Sequence, residues 1–296
     1  MIKPRSFKKS VLAALAVVPL AALLAGCTGA AGADDVVKIG VVDASEPYWE
    51  VYTEAAAEAG ITVELVNFAT YEQPNPALTA GEVDLNQFQT IVYLANYNVA
   101  SSQDLTTIGA TAIYPLGLYS SQYDSVDEIQ QGDTVAIPND QSNMARALVV
   151  LQSAGLIELT DGGSISSSLD DIDTDASKVT VTALEASLTT TSLPDVAAAI
   201  VNNEFVGKAG LSFADALAQD DPADAKSVPY ANVFAVRAED KDNETYKKLV
   251  EIYQTTTAVQ DGVLEASGDT AVLLTTPVSA LEASRAEVEA DTKSQQ

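Results

Sequence analysis

The chain has 296 residues, 47% of them hydrophobic, and its 42 acidic residues outnumber 15 basic ones to give a net charge of −27. A chain of this length and composition buries a sizeable core, and its negative charge disfavours nucleic acid as a partner. It has no histidine and one cysteine, which excludes a Ser-His-Asp or Cys-His catalytic group, a zinc site with the usual ligands and an intrachain disulfide.

The first 26 residues have the pattern of a bacterial lipoprotein signal peptide. Four basic residues precede an apolar segment over residues 11–25, which is shorter than the about 20 residues that a membrane-spanning helix needs. The segment ends in Leu24-Ala25-Gly26-Cys27, which resembles a lipobox, and Cys27 is the single cysteine. We predict cleavage before Cys27, lipidation of Cys27 and a flexible tether over residues 27–36. A plain signal peptide with a chance cysteine is the alternative.

Beyond the tether, segments of strand pattern alternate with segments of helical pattern, which predicts an α/β fold. The first apolar run is typical of a buried parallel strand, and the helix after it has Pro47 in its first turn and ends at Gly60. The predicted strands are 36–43, 61–68, 83–88, 105–108, 112–118, 134–138, 179–184 and 232–237. The predicted helices are 48–59, 75–81, 126–130, 142–154, 194–200, 246–256 and 278–289, with a frayed end after residue 291.

No motif in the chain indicates a metal site or an enzyme. Asp171, Asp173 and Asp175 match the first three ligand positions of a calcium loop, but Ala176 and Thr182 stand where that loop needs glycine and glutamate. We interpret this segment as a solvated acidic loop. The one Ser-x-x-Lys match lies in the signal peptide, and nothing distinguishes a catalytic carboxylate pair. We therefore predict no catalytic residue, no metal and no cofactor.

Aromatic side chains follow two of the predicted strands, where ligands bind in open α/β sheets. Phe68 and Tyr71 come at the end of the second strand, and Phe88 and Tyr93 come at the end of the third. These four residues are candidates for the walls of a ligand site. Core filling is the alternative for each of them.

Arg146 lies near the start of the helix predicted over residues 142–154. Its neighbours four residues away, Ser142 and Val150, carry no carboxylate, so an ion pair along its own helix is not expected. A helix N-terminus attracts anions, and a guanidinium group can bind a carboxylate through two parallel hydrogen bonds. Arg146 is therefore a candidate for carboxylate binding.

Several ordered segments carry a family resemblance. They are Gln73-Pro74-Asn75, the segment Asp-Leu-Asn-Gln-Phe-Gln at 84–89, and Val-Ala-Ile-Pro-Asn-Asp at 135–140 with Asn143 and Arg146 after it. Over about residues 37–278 the chain resembles the NlpA/MetQ-type substrate-binding lipoproteins of methionine ABC importers. The resemblance implies a two-lobe, type II periplasmic-binding-protein fold, with crossovers near 112–115 and 228–232. Lobe one would be 37–112 plus 233–296, and lobe two would be 113–232.

The resemblance also implies eight ligand-binding residues. At the polar end of the ligand they are Arg146, which binds the carboxylate, with Asn143, Asn202 and Asn232. Around the ligand side chain they are Phe68, Tyr71, Phe88 and Tyr93. Aromatic rings of this kind suit a thioether, which is polarizable and packs well against them.

Three positions depart from the family pattern and leave the ligand side chain open. Thr90 stands where the family has histidine, Thr70 stands in place of a common aspartate, and the segment that contains Trp49 is bulkier than usual. Methionine, another apolar amino acid and a short methionine peptide all remain candidate ligands.

We therefore predict a monomeric, lipid-anchored receptor on the extracytoplasmic face of the cell membrane. It captures L-methionine or a close relative and delivers it to the permease and ATPase of an ABC importer. An exported hydrolase on the same lobes, a surface adhesion lipoprotein without a working pocket, and a receptor for oxyanions or metals are the alternatives.

Overall fold

The structure is a computed structural model, which describes residues 36–295 apart from the side chains at 225 and 226. The predicted signal peptide, Cys27 and the tether up to residue 35 lie outside the described residues. Within residues 36–295, no helix is both long and apolar enough to cross a membrane.

The strands of the described chain form two five-stranded sheets and one two-stranded sheet. In chain order they are β1 (Val37–Val41), β2 (Val63–Asn67), β3 (Leu85–Thr90), β4 (Thr106–Ala110), β5 (Ala112–Ile113), β6 (Gly117–Tyr119), β7 (Thr134–Pro138), β8 (Thr180–Leu184), β9 (Ala198–Val201), β10 (Ala218–Gln219), β11 (Asn232–Val236) and β12 (Val272–Leu273).

Helices flank these sheets. In chain order they are α1 (Pro47–Glu58), α2 (Pro74–Thr79), α3 (Ile91–Ser101), α4 (Gln141–Ser153), α5 (Thr189–Ser192), α6 (Asn203–Val206), α7 (Glu244–Thr255), α8 (Thr257–Ala266) and α9 (Val278–Ser294).

The two large sheets belong to two lobes. The first has the strand order β2-β1-β3-β11-β4, with β1 parallel to β2 and β3, and β11 antiparallel to β3 and β4. The second has the order β10-β6-β9-β7-β8, with β7 parallel to β8 and β9, and β6 antiparallel to β9 and β10. The chain enters the second sheet at β6 and returns to the first at β11, so it passes between the lobes twice. The predicted two-lobe α/β fold is confirmed.

One predicted helix is wrong. Residues 194–200 were expected to be helical, but Ala198–Val201 forms β9, which is buried along its length between β6 and β7. The run is rich in alanine, which favours helices, but tertiary burial overrides such a weak local preference.

The other differences from the predictions concern the lengths of strands and helices and two helices that were not predicted. The strand predicted over 112–118 is two strands, β5 and β6, and the helix predicted over 126–130 is a single 3-10 turn, Val126–Glu128. Helix α9 continues to Ser294, past the predicted frayed end, while α3 and α8 were not predicted.

An aromatic cluster fixes the helices of lobe one against its sheet. Trp49 and Tyr52 of α1 pack with Phe234 of β11 and Tyr253 of α7, with ring centroids 5.4–6.4 Å apart. Trp49 is only 2% exposed. Such pairs add to the free energy of burying the rings, and they hold the start of α1 next to the cleft described below.

A glycine on β4 permits the close approach of α7 to the first sheet, and this can be tested. A Cβ atom at Gly109 would overlap with the side chain of Val250. We expect Gly109→Ala to lower the free energy of unfolding by about 1–3 kcal/mol, because overpacking forces a rigid core to shift. Urea unfolding of both proteins measures this.

Gly207→Ala is the matched control. A Cβ atom there meets no other atom within 4 Å, and Gly207 has helical backbone angles of φ −62° and ψ −38°. Alanine should leave the stability unchanged or raise it by up to about 1 kcal/mol. Equal effects of the two substitutions would contradict the assigned role of Gly109.

Candidate functional site

A cavity of about 120 Å³ lies between the two lobes. A cavity of about 150 Å³ accepts benzene, so the space suits a small molecule. Seven of the eight predicted site residues line it: Tyr71, Phe88, Tyr93, Asn143, Arg146, Asn202 and Asn232. Phe68 is not among the lining residues. It packs against a core of lobe one that includes Leu78 and Val83, and its role stays a prediction.

Arg146 is the buried cation of the cavity wall, with a side chain only 7% exposed. Its Nε donates to Asp220 Oδ2 at 2.5 Å, and its Nη2 donates to Asp220 Oδ1 at 3.1 Å and to the Tyr114 carbonyl oxygen at 2.7 Å. The guanidinium carbon also lies 4.5 Å from the centre of the Tyr230 ring. These contacts fix the guanidinium group, and Nη1 is its one nitrogen without a hydrogen bond among the described residues.

Two asparagines of lobe two are hydrogen bonded to each other beside Arg146. Asn202 Nδ2 donates to Asn143 Oδ1 at 2.9 Å. Asn143 Nδ2 in turn donates to Asp140, whose side chain also caps α4 by accepting from the Asn143 backbone N–H at 2.9 Å. Burial raises the pKa of Asp140, against the hydrogen bonds from Asn143. Among the described residues, Asn202 Oδ1 is a buried atom with no hydrogen-bond partner.

Three aromatic rings form one apolar wall of the cavity, and a fourth packs behind them. Tyr71, Phe88 and Tyr93 come from lobe one, with ring centroids 5.6–6.1 Å apart. Phe205 of α6 in lobe two packs on Tyr71 at 5.7 Å, so the two lobes meet at this aromatic group. The tilted and edge-on geometry is the favoured one for aromatic rings. Sequence reasoning found the first three rings and missed Phe205.

Three of the amides in the family-like segments have a structural role. Asn75, Asn86 and Gln89 are at most 2% exposed, and their side chains bond to one another at 2.7–2.9 Å. This network fastens α2 to β3. The segments therefore preserve the shape of lobe one behind the cavity, and of the three only Gln89 reaches the cavity lining.

The two most prominent sequence departures both border the cavity. Thr90 caps α3 by accepting from the Tyr93 backbone N–H at 3.2 Å, and its hydroxyl lies 3.4 Å from that of Ser142 in lobe two. Trp49 lines the cavity as well as packing in the core.

The structure adds three carboxylates that sequence reasoning did not connect with the site. Asp43, Glu46 and Glu204 all line the cavity. Lys208 Nζ lies 2.8 Å from Asp43 Oδ2 and so joins lobe two to lobe one. Burial raises the pKa of Asp43, but hydrogen bonds from Lys208 and Ser45 outweigh burial and leave that pKa below its ordinary value. Asp43 and Glu46 are far in sequence from Glu204 and Lys208, and no local motif connects the two pairs.

Within residues 36–295, no group of three or more acidic, cysteine or histidine side chains is placed to hold a metal ion. The cavity instead combines a fixed guanidinium, amide groups, carboxylates and an aromatic wall. This set can hold a small zwitterion with an apolar side chain, because each charge meets a partner of opposite sign.

The chain is similar to known binding lipoproteins along most of its length. The family model described as "NlpA lipoprotein" matches residues 37–273. A D-methionine-binding lipoprotein MetQ from Yersinia pestis is 37% identical over 254 residues, which is 84% of this chain and 92% of that protein.

Solved structures agree with this similarity. The substrate-binding protein of a methionine transporter from Streptococcus pneumoniae has a TM-score of 0.75 and 33% identity, and the match covers 81% of this chain and 95% of that one. A nutrient-binding protein from Burkholderia cenocepacia, solved bound to methionine, has a TM-score of 0.74 and 34% identity over 80% of this chain and 99% of that one.

The contact between Arg146 and Asp220 generates a stability prediction. Asp220→Asn removes the charge that compensates a buried guanidinium, so we expect the free energy of unfolding to fall by about 1.5–3 kcal/mol. Chemical denaturation measures the change. Asp221→Asn is the matched control, because Asp221 is exposed and its substitution should cost less than about 0.5 kcal/mol. Equal small losses would show that Asp220 does not hold Arg146.

Proposed function

Because the chain belongs to the NlpA lipoprotein family, we propose that it is the substrate-binding protein of a methionine ABC importer. Its relatives include D-methionine-binding lipoproteins and a structure solved with methionine. The observation that carries the proposal is the pairing of a fixed, buried arginine with an aromatic wall on one small cavity between two lobes. Those two features match the two ends of an apolar amino acid.

In the proposed complex, the ligand carboxylate bonds to Nη1 of Arg146. Asn143, Asn202 and Asn232 lie around the polar end of the ligand, where Asn202 Oδ1 accepts a hydrogen bond that it does not receive from the described protein. The thioether packs against Tyr71, Phe88 and Tyr93, because sulfur interacts favourably with aromatic rings.

Closure of the lobes traps the ligand. We assign 37–112 plus 233–296 to lobe one and 113–232 to lobe two, joined by the two crossing segments. Contacts between the lobes, such as the Lys208–Asp43 ion pair and the Tyr71–Phe205 ring contact, support a closed state once the cavity is filled. The protein performs no chemistry on its ligand and works without a cofactor.

Lipidation of Cys27 completes the proposed receptor. The lipid holds the protein on the extracytoplasmic face of the membrane as a monomer, next to the permease and ATPase that take up the released ligand. Cleavage before Cys27 removes four basic and no acidic residues, so the mature protein is more acidic than the full chain.

A thermal-shift screen with the purified protein tests the ligand assignment. The panel contains the twenty L-amino acids, D-methionine and methionine dipeptides. A ligand at about 100 times its dissociation constant adds roughly 2.7 kcal/mol to the stability of the folded state, so the melting temperature should rise with methionine. A rise with a different amino acid would keep the receptor function and attribute its different ligand preference to Thr70, Thr90 and Trp49. No rise with any compound, in protein shown to be free of bound ligand, would contradict a transport receptor and favour an adhesion lipoprotein.

The role of Arg146 can be separated from a general effect of losing arginine. Arg146→Lys keeps the charge but loses the planar fork, so we expect at least about a tenfold loss of methionine affinity. Arg285→Lys is the control, because Arg285 pairs with Glu282 and Glu289 on its own helix, away from the cavity. Isothermal titration calorimetry measures both. Unchanged affinity in the first variant would remove Arg146 from the site.

A further inference from the structure

Glu204 is a carboxylate on the cavity wall that the family-derived site does not include. It lies in α6, two residues after Asn202, and lines the same cavity. The residue as a whole is half-buried. The Tyr71 side chain of lobe one is near enough to lower the pKa of Glu204, so Glu204 lies where the two lobes meet.

No cation of the described protein forms an ion pair with Glu204. None of the ion pairs within residues 36–295 includes it. Lys208 is near enough to lower the pKa of Glu204, yet the Lys208 ammonium is paired with Asp43 at 2.8 Å. Arg146 is occupied by Asp220. Burial raises the pKa of Glu204, because an enclosed carboxylate without a cation is unstable in its charged form.

A second observation points to a ligand that donates hydrogen bonds. Asn202 is 8% exposed and lines the cavity, and its Oδ1 has no hydrogen-bond partner among the described residues. A buried acceptor of this kind costs free energy unless a donor reaches it. An ammonium group has three N–H donors and can serve this oxygen and a carboxylate together.

The positions of Arg146 and Glu204 on one cavity also suit the two charges of one amino acid. Tyr114 lies between the two residues, because its carbonyl oxygen accepts from Arg146 Nη2 and Glu204 is near enough to raise the pKa of the Tyr114 hydroxyl. The carboxylate and the ammonium of an α-amino acid are attached to the same carbon atom. A ligand whose carboxylate meets Arg146 therefore has its ammonium within the same small cavity as Glu204.

We propose that Glu204 is a specificity-determining residue, which binds the free α-ammonium group of the ligand together with Asn202. This inference rests on the proposed function and narrows it. The receptor takes amino acids with an unblocked amine and discriminates against analogues that lack it.

Calorimetry with two probes tests the proposal on the full chain. The probes are L-methionine and 4-(methylsulfanyl)butanoate, which has the same carboxylate and thioether but no amine. Glu204→Gln should weaken methionine binding about tenfold or more, as expected for loss of a hydrogen bond to a charged group. The same variant should bind the amine-free probe at least as well as the unsubstituted protein does.

Glu58→Gln is the matched control. Glu58 is exposed at the end of α1 and is not among the residues that line the cavity, and the substitution makes the same chemical change. It should alter the affinity for methionine less than threefold. If Glu204→Gln is insoluble, Glu204→Asp replaces it, because aspartate keeps the charge on a side chain that is one carbon shorter. Glu204→Asp should lose less affinity for methionine than expected for Glu204→Gln, and it should not lose affinity for the amine-free probe.

The outcomes separate this inference from the function on which it rests. Equal losses for both probes would mean that Glu204 only supports lobe closure, and no loss for either would remove it from the site; each result overturns the inference and leaves the receptor in place. If the unsubstituted protein does not bind methionine, the proposed function fails and the inference fails with it.

Discussion

The organisation of this protein depends on one buried ion pair, between Arg146 and Asp220. A guanidinium enclosed between two lobes is unstable without compensation, and the chain compensates it with groups from both segments that connect the lobes. Tyr114 lies between β5 and β6, where the chain enters the second sheet, and Asp220 and Tyr230 lie between β10 and β11, where it returns to the first. Arg146 therefore contacts both connecting segments and lines the cavity at the same time. Any ligand that bonds to its remaining nitrogen contacts the point where the lobes are joined.

Charge around the cavity explains why a zwitterion is a better occupant than an anion. Asp43, Glu46 and Glu204 line it with Arg146, and the two basic groups nearby are already paired with Asp220 and Asp43. An anion without a cationic group would meet carboxylates and gain only one free guanidinium nitrogen. An amino acid brings the missing positive charge with it, and the aromatic wall then selects its side chain.

The sequence predicted much of the fold and named candidate residues that line the cavity, and it missed what arises from distant contacts. Strands such as β1 and β7 were found because buried parallel strands are continuous apolar runs. The β9 strand was mistaken for a helix because its alanines favour helices locally, whereas its position between two strands decided its structure. Arg146 was found from its helix position, but its partner Asp220 lies 74 residues away, and no periodicity connects the two. No local motif marks Glu204 as a candidate, although it lies two residues after Asn202.

A crystal structure of the protein grown with L-methionine tests the central claim most directly. The account predicts that the ligand carboxylate lies within hydrogen-bond distance of Arg146 Nη1 while Arg146 keeps its contact with Asp220. It also predicts that the sulfur atom packs against the rings of Tyr71, Phe88 and Tyr93. Methionine bound outside the cavity between the lobes, or bound there with its carboxylate away from Arg146, would contradict the account.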